Sequence, residues 1–269
     1  MNKKYELLRK DNIEHAGKTL YRIKALRDFG NVKAGDLGGY IQNEDNLSHE
    51  GNCWIYDNAK VYDKAYVYNN AAIYGNASVY GRARVYNNAR VYGYAKIYDS
   101  AIVREKAKIN EYAEIYGYAE IYEKAWVFDN VKVYDNAEIY GDAIVHHNAT
   151  VYGRAKILDR AMVGCSATIC GKAKVYGIAS VHEGTIVGKV SSKYKDIYQE
   201  EFIEEDRVVT AILTEDNIVL YTIEWLFDYT EEEFMDIIED TNNHLGDATI
   251  REKYRAFIKK ATMYFKGAQ

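Results

Sequence analysis

Proline is absent from the 269 residues, and cysteine nearly so, with Cys53, Cys165 and Cys170 scattered along the chain. Three thiols placed this way make neither a disulfide framework nor the CxxC or Cys/His cluster of a zinc centre, so they read as reduced, structural groups. No apolar run approaches the ~18 residues of a membrane span. The first residues, Met1-Asn2-Lys3-Lys4-Tyr5, lack the apolar stretch of a secretory signal. The expectation is a cytoplasmic chain with no membrane contact. Acids outnumber bases only slightly, for a formal charge of −5. Residues 190–269, however, hold 9 lysines and arginines against 18 acids, a local −9 that leaves +4 on residues 1–189. The two parts differ in electrostatic character.

Tyrosine is abundant, with 27 residues, and most of them fall inside one repeat. Stepping by six from Ile55, every position through Val187 is Val or Ile, 23 in succession. Four residues after each of the first 22 stands Ala, save Val131 and Thr185. In Ala59-Lys60-Val61-Tyr62-Asp63-Lys64 the Ala and Val lie two apart and share one face of a short strand, while Lys60 and Tyr62 point the other way. Gly, Asn or Asp come next, types that tolerate left-handed backbone at a corner. Six residues thus make one side of a coil and three sides make an 18-residue turn, with Val/Ile and Ala filling a triangular interior. Residues 52–189 supply a little under eight such coils, a prism roughly 35 Å long at the ~4.8 Å strand spacing.

An aliphatic residue with a small residue four positions later resembles the hexapeptide-repeat superfamily of left-handed parallel β-helices; the handedness is implied by that resemblance. The N-terminal segment, through Asp28-Phe29-Gly30-Asn31-Val32-Lys33-Ala34-Gly35, Gly38-Gly39-Tyr40, Asn46-Leu47-Ser48 and Gly51-Asn52-Cys53-Trp54-Ile55-Tyr56-Asp57, is similar to YdcK-like bacterial and prophage β-helix proteins. That likeness implies a fold and no particular activity. Residues 1–51 are expected to form a capping segment, 52–189 the β-helix, and 190–269 an acidic α+β unit. The runs Tyr5-Glu6-Leu7-Leu8 and Thr19-Leu20-Tyr21-Arg22-Ile23 predict a β-hairpin joined through residues 12–18, which would shield the open first coil. Gly35-Asp36-Leu37-Gly38-Gly39 lacks the Lys-Ser/Thr of a phosphate loop. In the C-terminal part, residues 207–213 and 218–223 predict a second hairpin, and Thr230 with Glu233 makes a capping box. A last helix follows, with an apolar stripe through Ile250, Tyr254, Phe257, Ile258, Ala261 and Phe265.

The outward slot after each aliphatic residue divides into three ladders. One is Tyr62, Tyr80, Tyr98, Tyr116, Tyr134 and Tyr152, ending at Cys170. Aligned rings stiffen a sheet; a platform for stacked bases is the functional alternative. Rings ~4.8 Å apart do not match the ~3.4 Å repeat of stacked bases, so extended nucleic acid is disfavoured while a single nucleotide at a ladder's end stays open. On another face Trp126, Phe128, Ile144 and Met162 form a contiguous apolar patch, expected to serve as an interface or to be covered by the C-terminal helix.

Enzymes of the hexapeptide superfamily are mostly acyltransferases with a histidine base near a subunit junction, or carbonic anhydrases with three zinc histidines. Here His146, His147 and His182 have no ligand-like spacing and no evident Asp or Glu to orient a base, and the hexads run on without a lid loop. No catalytic residue, metal or cofactor is expected. The reading is a non-enzymatic scaffold or binding protein that engages a protein partner or itself as a homo-oligomer, with a trimer as one candidate state. The prophage resemblance makes it conceivable that a host protein is bound or inhibited, or a small molecule sequestered. The alternative is an acyltransferase-like enzyme at a trimer interface.

Overall fold

The computed structural model describes residues 3–181, 186–187, 194–202, 207–214, 219–223, 226–239 and 248–267. His182 and His244 lie outside these residues. From Trp54 the repeat folds as two-residue strands such as Lys60–Val61, Tyr66–Val67 and Ala72–Ile73, assigned in rotation to three parallel sheets. Sheet one carries the Tyr62 ladder, sheet two carries Trp126, and sheet three carries Tyr68, Tyr122 and Tyr140. Sheet two has eight strands, one per coil. Every coil hydrogen-bonds to the next with near-constant geometry, as in Lys60 N–H to Ala77 O at 2.9 Å and Tyr62 N–H to Val79 O at 3.1 Å. The aliphatic and alanine positions from Ile55 to Val175 are fully or almost fully buried, so the interior is filled by the two residue types the repeat supplies.

The corners explain the third element of the repeat. Residues such as Asp57, Asp63, Asp99, Glu123, Asp129 and Asp135 hold φ between 52° and 61°. Their carboxylates do more than tolerate the bend. Asp63 Oδ2 accepts the amide of Gly81 at 3.3 Å, Asp99 Oδ2 that of Gly117 at 3.3 Å, and Asp135 Oδ2 that of Gly153 at 3.2 Å, each one coil on. Acid and glycine alternate up this corner from Asp63 to Gly153, and a Cβ built on Gly81 would lie 2.8 Å from the backbone nitrogen of Asp99.

At the N-terminus the hairpin forms, with β1 (Tyr5–His15) antiparallel to β2 (Lys18–Ala25). Its strands run longer than the alternation suggested. The turn is only Ala16-Gly17, both left-handed, and the polar stretch near Asn12 is absorbed by an irregularity between Leu8 and Asn12. The hairpin reaches the first coil by extending one of its sheets. Strand β3 (Leu37–Ile41) pairs parallel with Lys60–Val61, so β1, β2 and β3 extend sheet one past the first coil. Gly38 and Gly39 permit this close approach, since a Cβ on Gly38 would lie 2.6 Å from Ile23 and one on Gly39 2.4 Å from the Ala59 carbonyl. Tyr5, Ile23, Phe29 and Trp54 then close the interior. Lys4, fully buried, points its ammonium at the end of the first coil, donating to the Cys53 carbonyl at 2.9 Å and to Cys53 Sγ at 3.2 Å. Burial holds the Lys4 ammonium below its usual range, with Cys53 opposing that shift.

At the other end, strand Tyr194–Phe202 pairs parallel with Lys174–Gly177 and continues sheet three, followed antiparallel by Arg207–Thr214, Val219–Ile223 and Leu226–Tyr229. The expected hairpin is the Arg207–Thr214 and Val219–Ile223 pair. Helices α1 (Glu231–Glu239) and α2 (Ala248–Gly267) pack on this extension. The capping box closes as expected, Thr230 N–H donating to Glu233 Oε2 at 2.8 Å and Glu233 N–H to Thr230 Oγ1 at 3.4 Å.

Candidate functional site

The six tyrosines stand in one stack. From Tyr62 to Tyr152 successive ring centroids are 5.0, 4.9, 4.8, 4.9 and 5.1 Å apart, tilted by at most 8°. Such rings are in contact, whereas a base inserted between two would need them roughly 7 Å apart. The first ring is closed off by the hairpin: Leu20 and Tyr40 bury Tyr62, and His15 meets it edge-on at 5.4 Å. At the other end Cys170 is buried. Burial raises the phenol of Tyr62 to about 12, with Tyr80 and Asp63 adding to it, and pushes Tyr98 up further with help from Glu114.

On sheet two, Trp126, Ile144 and Met162 are paired across adjacent strands. Trp126 is 38% and Met162 41% exposed, with Ile144 and Phe128 half-buried between them. The indole is fixed rather than loose: Trp126 Nε1 donates to Asn110 Oδ1 at 2.7 Å, and its ring lies 4.6 Å from that of Phe128. The C-terminal helix does not cover this patch. The α2 stripe, Tyr254, Phe257, Ile258, Ala261 and Phe265, packs instead with Tyr176, Tyr198 and Tyr221 on sheet three.

The expectation that the histidines lack an acidic partner needs correction. Asp129 and His147 occupy the same corner of successive coils, both left-handed at φ 61° and 59°. Asp129 Oδ2 accepts the His147 amide at 3.0 Å and lies 3.8 Å from His147 Nδ1. His146 Nδ1 and His147 Nδ1 meet in a close hydrogen-bond contact. One ligand atom from each of the three residues therefore falls within 4.8 Å of the other two. Two signals in the sequence mark the cluster: adjacent histidines straddling a corner, and an acid 18 residues before the second. The ring of His146 stacks on Phe128 at 5.5 Å and overlies Gly164, where a Cβ would meet its Cε1 at 2.5 Å. Gly164 is buried and not left-handed, so what it contributes is space for this imidazole. Burial, and then the neighbouring His147, hold the His146 ring below the usual histidine range, against the pull of Asp129.

A groove of about 540 Å³ runs along the seam where α2 meets sheet three, lined by Lys156, Lys174 and Lys260 with Tyr140, Tyr176 and Tyr264 among others. No local pattern in the sequence marks this groove, because Lys260 reaches it only through the docking of the helix.

No protein-family model matches the chain. A 38-residue stretch is 55% identical to a protein named uncharacterized acetyltransferase YdcK from Escherichia coli strain K12, covering 14% of this chain and 12% of that protein. Match and fold together are consistent with hexapeptide-repeat β-helix proteins. The chain matches only about an eighth of that relative's length, so the name carries no activity across. No helix among the described residues is long and apolar enough to cross a membrane.

Proposed function

We propose that the protein works by presenting surfaces rather than by catalysis, as a rigid binding scaffold in which the Trp126 face of one copy rests against the same face of a second. The observation that carries this reading is the strip Trp126, Phe128, Ile144 and Met162, which α2 leaves uncovered. At these exposures the four side chains present roughly 200–300 Å² of contiguous apolar surface, close to the largest patch of a typical soluble monomer, which is often functional. Charge favours a second copy as the occupant. Arg90 and Lys108 line the same sheet toward its N-terminal end, whereas residues 190–269 carry −9. Two copies laid antiparallel about a two-fold axis set apolar strip on apolar strip and the acidic end of each near the basic end of the other. Light scattering tests this: the wild type should run as a dimer or larger, and Trp126→Glu with Ile144→Glu should run as a folded monomer. A monomeric wild type, or a double variant of unchanged mass, removes the reading.

Acyl transfer is the second reading. It is favoured by the Asp129–His147 pair, which could orient a base, and by the short likeness to a protein named as an acetyltransferase. Against it, the hexads from Ile55 to Val181 contain no inserted loop to cover a cofactor. Saturable binding of acetyl-CoA, with turnover lost in His147→Asn, would move the assignment to this reading.

A further inference from the structure

The corner formed by Asp129, His146 and His147 is built more deliberately than a chance meeting of surface groups. Every acid in this corner position is held by the same backbone, and most bond the amide of a glycine or an acid one coil on. At Asp129 the residue above is His147, whose side chain projects from a left-handed corner and so stays at the rim of the coil. His146 reaches the same point from the end of the sheet-two strand. Its ring is held on one side by Phe128 and on the other by the hollow over Gly164. Two imidazole nitrogens and one carboxylate oxygen therefore converge from one chain, and both second contacts of the cluster are fixed by the fold: the His147 amide pins Asp129, and Phe128 orients His146.

We propose that Asp129, His146 and His147 form a three-ligand site for a borderline divalent transition ion such as zinc. Two nitrogens and an oxygen are the donor set such ions prefer, and magnesium or calcium would not select imidazole. Around a tetrahedral zinc ion, ligand atoms sit roughly 3.3 Å apart. The 3.8 Å between Asp129 Oδ2 and His147 Nδ1 needs a small contraction, and the two facing Nδ1 atoms need a small parting. Exposed His147 can supply both by rotating its side chain. Three protein ligands leave a fourth position open to water or to a donor group of a bound molecule. The site goes beyond the scaffold reading and does not depend on it, because all three ligands come from one chain.

The test is calorimetric titration of chelator-treated full-length protein with zinc chloride, with cobalt(II) absorption as a spectroscopic check on tetrahedral geometry. Stoichiometry is read per chain, so monomer and dimer give the same answer. One ion per chain is expected. His147→Asn and His146→Asn should each weaken binding more than about tenfold, and Asp129→Asn should do likewise. Gly164→Ala is the sharper variant, since it leaves every ligand in place yet fills the hollow under His146; it should weaken zinc to a similar degree. Should Gly164→Ala unfold the chain, His147→Asn decides alone, because asparagine already holds this left-handed corner conformation at Asn69 and Asn87. No saturable uptake by the wild type overturns the proposal. So does uptake that is unchanged in the His146→Asn, His147→Asn double variant, which would mark scattered surface binding.

Discussion

Between Ile55 and Val181 the interior is Val, Ile and Ala, each small and each repeated, whereas beyond residue 194 it is built around the rings of Tyr198, Tyr221, Phe234, Tyr254, Phe257 and Phe265, with aliphatic residues such as Val209, Leu213 and Ile238 between them. The body gains cohesion from ladders of hydrogen bonds and identical steps, so each coil depends on its two neighbours and stability adds along the axis. The C-terminal unit depends on a few large rings brought together from distant parts of the chain. In the body a residue matters because it is one of a series. In the C-terminal unit it matters because nothing else fills its place. The two are nevertheless continuous, since Tyr194–Phe202 adds to sheet three as one more strand.

The contrast can be broken at its strongest point first. Val127 is fully buried at the middle of the series, and Val127→Asp puts an unpaired carboxylate where no partner or water can reach it. The loss should exceed about 4 kcal/mol and abolish the cooperative melting of the body, as followed by circular dichroism. A variant melting like the wild type would mean that the inward register is wrong. Next in size, Phe257→Ala should cost the C-terminal unit about 3–5 kcal/mol. Limited proteolysis should then remove the acidic end and leave a β-rich body. Loss of the whole fold in one step would show the two regions to be a single cooperative unit. The smallest effect sharpens the comparison through pH. Phenols raised in the folded state, Tyr62 to about 12 and Tyr98 and Tyr122 further, contribute stability below the ordinary tyrosine range near 10 that is lost as pH rises through the folded values. Alkaline unfolding should therefore set in above about pH 10, with phenolate absorbance and loss of strand signal rising together. Tyr98→Phe should shift that onset upward while changing stability at pH 7 by less than about 1 kcal/mol. Independent ionisation of the tyrosines before any unfolding would contradict the stacked, shielded ladder.

The solenoid could be read from the chain because its rule is local and repeated: every Val, Ile and Ala in register reports the same fact. The capping box at Thr230 and the stripe through Tyr254 and Phe257 were legible for the same reason, as short-range patterns. What escaped notice depended on distance in sequence. The strand Tyr194–Phe202 lacks a clean alternation and is fixed by pairing with Lys174–Gly177. The carboxylate rungs at the corners needed a comparison of residues 18 apart at positions that otherwise look like plain turn formers. Asp129 was passed over for that reason, and the role of Gly164 only emerged once the imidazole above it had a place.

Each coil spans 18 residues and each side six, and this arithmetic governs what insertions do. Adding a whole coil lengthens the rod by one strand spacing and leaves every side chain facing as before. Adding a single hexad leaves the interior equally content, yet it turns everything downstream by a third of a revolution. The Tyr column would then be carried onto a different side partway up, the Trp126 strip would look away from its former neighbours, and Asp129 would part from His147 if the hexad fell between them. Core and surface thus obey different clocks: the interior counts in sixes, the outer faces in eighteens. A chain like this is free to grow or shrink by recombination without unfolding, but it keeps its surface features aligned only when the change comes in threes.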